Sequence, residues 1–286
     1  MSSKTIIPNK KKTPKNVVAE SIFIPANFHE HLIYSRAIEA LSWGMPIVNY
    51  ELMFQAGKKI GAGFNQIVYW PGLLDWKNQT LTPNPDVIYL MPFFNTKDTG
   101  PVILEIPPAD DGVINGSVMD CWQTAIEDVG PAGVDKGKGG KYLILPPGYA
   151  DEIPQGYIPM RSDNWQGYAL LRSILKSGSH ADIDTAVNYA KRIKLYPLSQ
   201  ATNPPQTVFI NAIDKLFDST IPYDLRFFES LDRIVQYEPF LTRDKLIIDM
   251  LKTIGIEKGK SFKPDLLTQE ILNDAARDAH AWIDSA

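Results

Sequence analysis

From Asn65 to Met160 the apolar residues come only in short runs, and turn-forming residues separate them. The runs are Ile67–Trp70, Val87–Phe94, Val102–Ile106, Ser117–Ala125 and Tyr142–Leu145, and they are rich in Val, Ile, Tyr, Phe and Trp. Thr82-Pro83-Asn84-Pro85, Pro107-Pro108, Asp111-Gly112, Asn115-Gly116 and Pro146-Pro147-Gly148 lie between them. A run of four to nine such residues is too short for a stable helix and the right length for a strand. Turn signals every ten residues or so predict an antiparallel β-sandwich.

The flanks have a different texture. From Phe28 to about Ile60, Leu32, Ile33, Ala37, Leu41, Ile47 and Val48 recur at helical spacing, so a long opening helix is expected. Gly44 and Pro46 interrupt it, and a proline inside a helix removes a backbone donor, which predicts a kink or a division into two helices. After Ser162 the pattern reads as helical again: Trp165–Lys176 ending at Gly178, Ile183–Lys194 capped by Ser179 and Asp182, Asp224–Gln236, Lys245–Ile254 and Leu266–Ile283. Prolines mark a long connection between 195 and 222. The expected organisation is a disordered tail over 1–27, an opening helix with a β-sandwich domain over 28–162, and an all-helical domain over 163–286. The last helical pattern is still periodic at the end of the sequence, as it would be at a natural domain end or in a chain that continues into a further domain.

Hydrophobic residues make up 44% of the 286 residues, charged residues 22%, and the net charge is -4. A protein that works on nucleic acid needs a basic face, so nucleic acid is not the expected partner. The single cysteine, Cys121, excludes an intrachain disulfide. No apolar run approaches the ~20 residues that span a bilayer. The expected compartment is the cytoplasm as the sequence is written, or the periplasm if a signal peptide has been removed.

The glycine-rich stretch from Gly130 to Lys141 lacks the spacing of a phosphate loop and runs into the strand-like Tyr142–Leu145, so it is read as a structural loop. An anion or sugar contact through Lys136, Lys138 or Lys141 is the alternative. His29 and His31 do not share a helix face and have no third ligand nearby, so no metal site is expected. Cys121 sits in an apolar run and reads as an inert thiol. The densest polar-aromatic grouping is Trp70, Trp76, Asn84, Asp86, Tyr89, Asp120, Trp122 and Gln123. Aromatics beside amides and carboxylates are what a small-molecule or sugar site uses, although a sandwich core with turn-capping Asn and Asp has the same composition.

Several longer motifs resemble a bacterial family named domain of unknown function 1254. They are Trp43-Gly44-Met45-Pro46-Ile47-Val48-Asn49, Leu81-Thr82-Pro83-Asn84-Pro85-Asp86-Val87-Ile88-Tyr89 and the stretch from Gly133 to Tyr149. Ile153–Tyr157 and Gly255–Phe262 join them, so the resemblance extends over roughly 28–286. It implies an immunoglobulin-like sandwich followed by a helical domain. It also implies a C-terminal jelly-roll domain, numbered 1214, which this chain does not reach.

Two functions compete. In the first, a pocket lined by Trp76, Asn84, Tyr89 and Trp122, with Lys138 as a further contact, binds a small molecule or sugar and performs hydrolase-like chemistry. Asp86 is then the acid–base candidate, because a carboxylate walled by aromatics has a raised pKa. In the second, the chain is a non-catalytic binding or assembly module that recognises a glycan or a partner protein. Either reading is compatible with a split protein whose jelly-roll domain lies on another chain. The expected partners are a small-molecule or glycan ligand, that separate chain, and further copies in a homo-oligomer. No motif names a cofactor.

Overall fold

The computed structural model describes residues 23–285, and the tail expected over 1–27 lies outside them up to residue 22. Helix α1 spans Phe28–Lys59 without division. Asn27 caps it by accepting from the Glu30 N–H at 3.1 Å, and Glu30 returns a bond to the Ala26 N–H at 2.8 Å. Pro46 is held inside the helix, so of the two outcomes expected, a kink or a division into two helices, the division does not occur. Gly44 lets another helix come close, since a Cβ there would stand 3.0 Å from Leu231 Cδ1. Tertiary packing on both sides of Pro46 thus outweighs the lost hydrogen bond.

The strands follow: β1 (Gln66–Tyr69), β2 (Asn78–Gln79), β3 (Val87–Asn95), β4 (Val102–Ile106), β5 (Ile114–Asp120), β6 (Ala125–Val129), β7 (Gly140–Leu145), β8 (Tyr157–Arg161) and β9 (Gln166–Ile174). Helix α2 (His180–Ala190) leads to β10 (Lys194–Pro197), β11 (Phe209–Asn211) and β12 (Phe217–Asp218). Helices α3 (Leu225–Tyr237), α4 (Lys245–Leu251) and α5 (Leu266–Ser285) complete the order. A six-stranded sheet runs β11-β1-β3-β9-β5-β6, a four-stranded sheet runs β10-β4-β7-β8, and β12 pairs with β2.

The architecture is mixed α and β, with a helical C-terminal region. The sheets are not purely antiparallel as expected: β1 with β11, β7 with β8 and β2 with β12 are parallel pairs. A parallel pair needs a connection that returns to the starting end of the sheet, and the turn-rich segment 146–156 supplies it between β7 and β8.

Strand β3 explains the layering. All nine of its residues are buried, so both faces must be covered. Ile88, Leu90 and Phe94 join Leu104, Ile144 and Leu171 in a core between the two sheets. Val87, Tyr89, Met91 and Phe93 point the other way, into a core with Leu41 and Val48 of α1, Leu231 of α3 and Leu272 of α5. Each such side chain contributes roughly 1.5–3 kcal/mol by leaving water.

Trp165–Lys176, expected as a helix, is largely strand β9 in the middle of the large sheet. Its apolar residues face both cores, Tyr168 one way and Ala169 and Leu171 the other, so no period of two survives in the sequence. The boundary drawn at 162/163 therefore precedes a central strand, and the helices that follow the last strand begin at Leu225. Ser117–Ala125, read as one run, is the hairpin between β5 and β6.

Candidate functional site

The hairpin turn after β5 builds one wall of a crevice. Asp120 Oδ1 accepts from the N–H groups of Trp122 at 2.9 Å and Thr124 at 3.0 Å, which fixes the tight reversal. Gln123 takes up the left-handed conformation, φ +61°, a costly geometry for a residue with a side chain. Three side-chain bonds hold it. Its Nε2 donates to Pro46 O at 2.7 Å and to Asn49 Oδ1 at 3.0 Å, while Tyr168 Oη donates to its Oε1 at 3.1 Å. The turn is thereby tied to α1 beside the proline, and Trp122 comes to lie against Trp43, with ring centroids 4.7 Å apart and planes at 58°.

Trp43 and Trp122 frame a narrow crevice floored by Ile47, Leu231, Ile234 and Val235 and rimmed by Phe240 and Ile248. Its open space is about 20 Å³, room for about one water. Wider recesses open on either side. One, of about 430 Å³, is lined by Met45, Asn49, Trp122 and Gln123, and the other, of about 590 Å³, by Ile38, Trp43, Ile247 and Trp282.

Glu238 also lines the crevice and is 4% exposed. It terminates α3, and its carboxylate reaches over to the start of β9. Oε2 accepts from Trp165 N–H at 2.7 Å and Oε1 from Gln166 N–H at 3.2 Å. Burial pushes its pKa up to about 7, although these two N–H groups, the nearby Asn164 amide and the Lys258 ammonium favour the charged form. The Asn164 side chain is fully buried, with its amide beside the Glu238 carboxylate. Tyr50 Oη contacts Gln166 Oε1 at 3.3 Å, and Cys121 is buried close by with its thiol pKa raised by burial and by Glu238. Asp120 is also raised, by burial, against the opposing Thr124 and Trp122 N–H groups and Arg243. A carboxyl near 7 beside aromatic walls can give and take a proton at neutral pH.

The residues singled out in the sequence do not converge. Asp86 is exposed on the turn before β3, where its N–H is accepted by Asn84 Oδ1 at 2.9 Å. Trp76 is 72% exposed. Tyr89 is buried in the helix-side core, with the Arg172 guanidinium 5.4 Å from its ring. Lys138 lines a separate cleft with Lys141, Arg192 and Lys194. Trp122 alone of the six lines the crevice, and it brings with it Asp120 and Gln123 from the same grouping. Sequence reasoning did not single out Glu238. Its one signal was a carboxylate set between Val235 and the apolar Phe240-Leu241, at a helix end before Pro239. Among the described residues, no three His, Cys, Asp or Glu side chains gather to hold a metal, and no helix is long and apolar enough to cross a membrane.

The fold and crevice define a two-sheet protein whose larger sheet carries a helical layer with an aromatic, acid-bearing cleft. Residues 64–197 match the model of the family described as "Protein of unknown function (DUF1254)", and this segment belongs to that family. The resemblance drawn from the motifs is borne out over this segment. The chain is also similar in fold to the crystal structure of the VPA0106 protein from Vibrio parahaemolyticus, with a TM-score of 0.63 and 18% identity. The match covers 88% of this chain and 59% of that one. No curated protein matches the chain.

Proposed function

We propose that the chain binds a small molecule carrying a planar or sugar ring in the recess of about 430 Å³ against Trp122, at the edge of the Trp43–Trp122 crevice. Glu238 is then the group that exchanges a proton with it. The observation that carries this reading is the pairing of two part-exposed tryptophans with a buried carboxyl whose pKa lies near neutrality. Chemistry of the hydrolase type fits such a carboxyl, and the acid–base role passes from Asp86 to Glu238. The test is ligand-observed NMR with a mixture of aromatic acids and sugars, repeated on Trp122→Ala and on Trp76→Ala. Binding that disappears in Trp122→Ala and persists in Trp76→Ala is expected. The reverse pattern would return the site to the Trp76–Asp86 turn.

A second reading, assembly without chemistry, draws on the open recess lined by Ile38, Trp43, Ile247 and Trp282 and on the exposed Leu246 beside Ile247. An apolar recess of this kind fits a protein partner such as a separate jelly-roll chain. Protection of the Trp282 region from hydrogen exchange on addition of that chain, with no small molecule bound at Trp122, would favour it.

A further inference from the structure

The outer face of the four-stranded sheet carries a row of charges that the Trp43–Trp122 crevice does not use. Lys194 of β10, Glu105 of β4 and Lys141 of β7 are direct cross-strand neighbours. Glu105 lies between the two ammonium groups, at 3.1 Å from Lys194 and 3.5 Å from Lys141. Its side chain is 17% exposed, while the lysines are 54% and 50% exposed. Burial works against its charge, but the Tyr196 hydroxyl and Lys194 outweigh that and hold it below the usual carboxylate range. One carboxylate cannot neutralise two lysines, so the row keeps an uncompensated positive charge.

Further cations surround it. Lys138 is exposed on the glycine-rich loop and lines the same cleft of about 570 Å³. That loop is drawn tightly against β4: a Cβ on Gly139, at φ +72°, would meet Ile106 O and Pro108 N at 2.6 Å. The glycines thus bring Lys138 beside the ladder. Arg192 closes the other side, anchored by Asp110 at 2.7 Å and 2.9 Å and by Asp111 at 2.6 Å. A second cleft of about 440 Å³ adjoins the first, shares Arg192 and Lys194 with it, and adds Lys191. Five cations therefore line two joined clefts on a chain whose net charge is -4. Glu105 is the one acidic residue among the lining residues.

We propose that this groove binds a small multiply charged oxyanion, a polyphosphate or a polycarboxylate, between the Lys194–Glu105–Lys141 row and Lys138. Gathered ammonium groups repel one another, and an anion with two or more charges relieves that repulsion. An added β-strand does not fit as well. The edge strand β10 already donates its Leu195 N–H to Thr207 Oγ1 at 3.0 Å, which occupies part of the edge that a strand would need.

Isothermal titration at low ionic strength with inorganic tripolyphosphate and with citrate tests the proposal. Saturable binding at one anion per chain is expected, weakening as salt is added. Lys138→Gln and Lys194→Gln should each weaken binding about fivefold, and Glu105→Gln should tighten it by about the same factor. Lys97→Gln, away from the groove, should leave it unchanged. Binding of tripolyphosphate alone assigns a phosphate ligand and binding of citrate alone a carboxylate ligand, and both outcomes support the site. Lys138→Gln lies in an exposed loop, so it remains informative if Lys194→Gln disturbs the edge strand. No binding of either anion would overturn the proposal. So would an unchanged affinity in Lys138→Gln, or an equal loss in Lys97→Gln.

Discussion

On its sandwich face the six-stranded sheet presents Ile88, Leu90, Phe94 and Leu171 to the apolar residues of the smaller sheet. On its helical face the same strands meet a layer that buries Glu238, Asn164 and Gln166 beside Tyr50 and Cys121. The first face is mostly close apolar packing, with the buried Tyr142 hydroxyl set among it. The second carries a carboxyl moved toward neutrality, a fully buried amide beside it and a residue strained at φ +61°. Burying polar groups without full compensation costs free energy, so a fold tolerates it where the groups have a use. In the proposed reading, stability and chemistry are thus concentrated on opposite faces of one sheet.

That comparison breaks most easily on the sandwich side. Phe94→Ala should cost about 4 kcal/mol, read from the shift in denaturant midpoint, while ligand binding at Trp122 stays intact in the folded fraction. Loss of both together would mean that the two faces are not separable.

Glu238 comes next. With a pKa raised from 4.5 to about 7, the folded protein binds more protons than the unfolded chain between those values. Its contribution to stability is therefore greatest below 4.5 and is lost as pH rises to about 7, by roughly 3 kcal/mol. Other carboxylates, Asp182 and Asp224 among them, are held low and push the opposite way. The difference between wild type and Glu238→Gln isolates the term: the variant's unfolding free energy between pH 5 and 8 should lack this fall.

Gln123→Ala removes three hydrogen bonds and keeps the strained backbone, so a loss of about 1–2 kcal/mol is expected, with a shift in tryptophan emission as Trp122 loosens from Trp43. Gln123→Gly should lose less stability for the same emission change, because glycine tolerates the left-handed region. The smallest effect belongs to Asp86→Asn, an exposed turn position. Stability within about 0.5 kcal/mol of wild type and unchanged ligand binding are expected.

How much of this was legible depended on whether an element faced water. The cap at Ser179 left a short-range signal and was read, as the helix N-cap now shows. The strands β1, β3, β4 and β7 were marked by turn residues at their ends. Strand β9 was not legible, because burial on both faces erases alternation. In the site, Trp122 with Asp120 and Gln123 could be found as a local grouping. Glu238 and Asn164 could not be linked to them, since α3 and β9 meet only in the folded chain. The Trp76–Tyr89 segment looked like a site because exposed turn residues and core aromatics lie side by side in sequence while pointing to different places.

The most direct measurement is a carbon-13 NMR titration of the Glu238 side-chain carboxyl in the folded protein. A midpoint close to 7 is the predicted result. A midpoint in the ordinary glutamate range would contradict the assignment of Glu238 as the proton-exchanging group of the crevice.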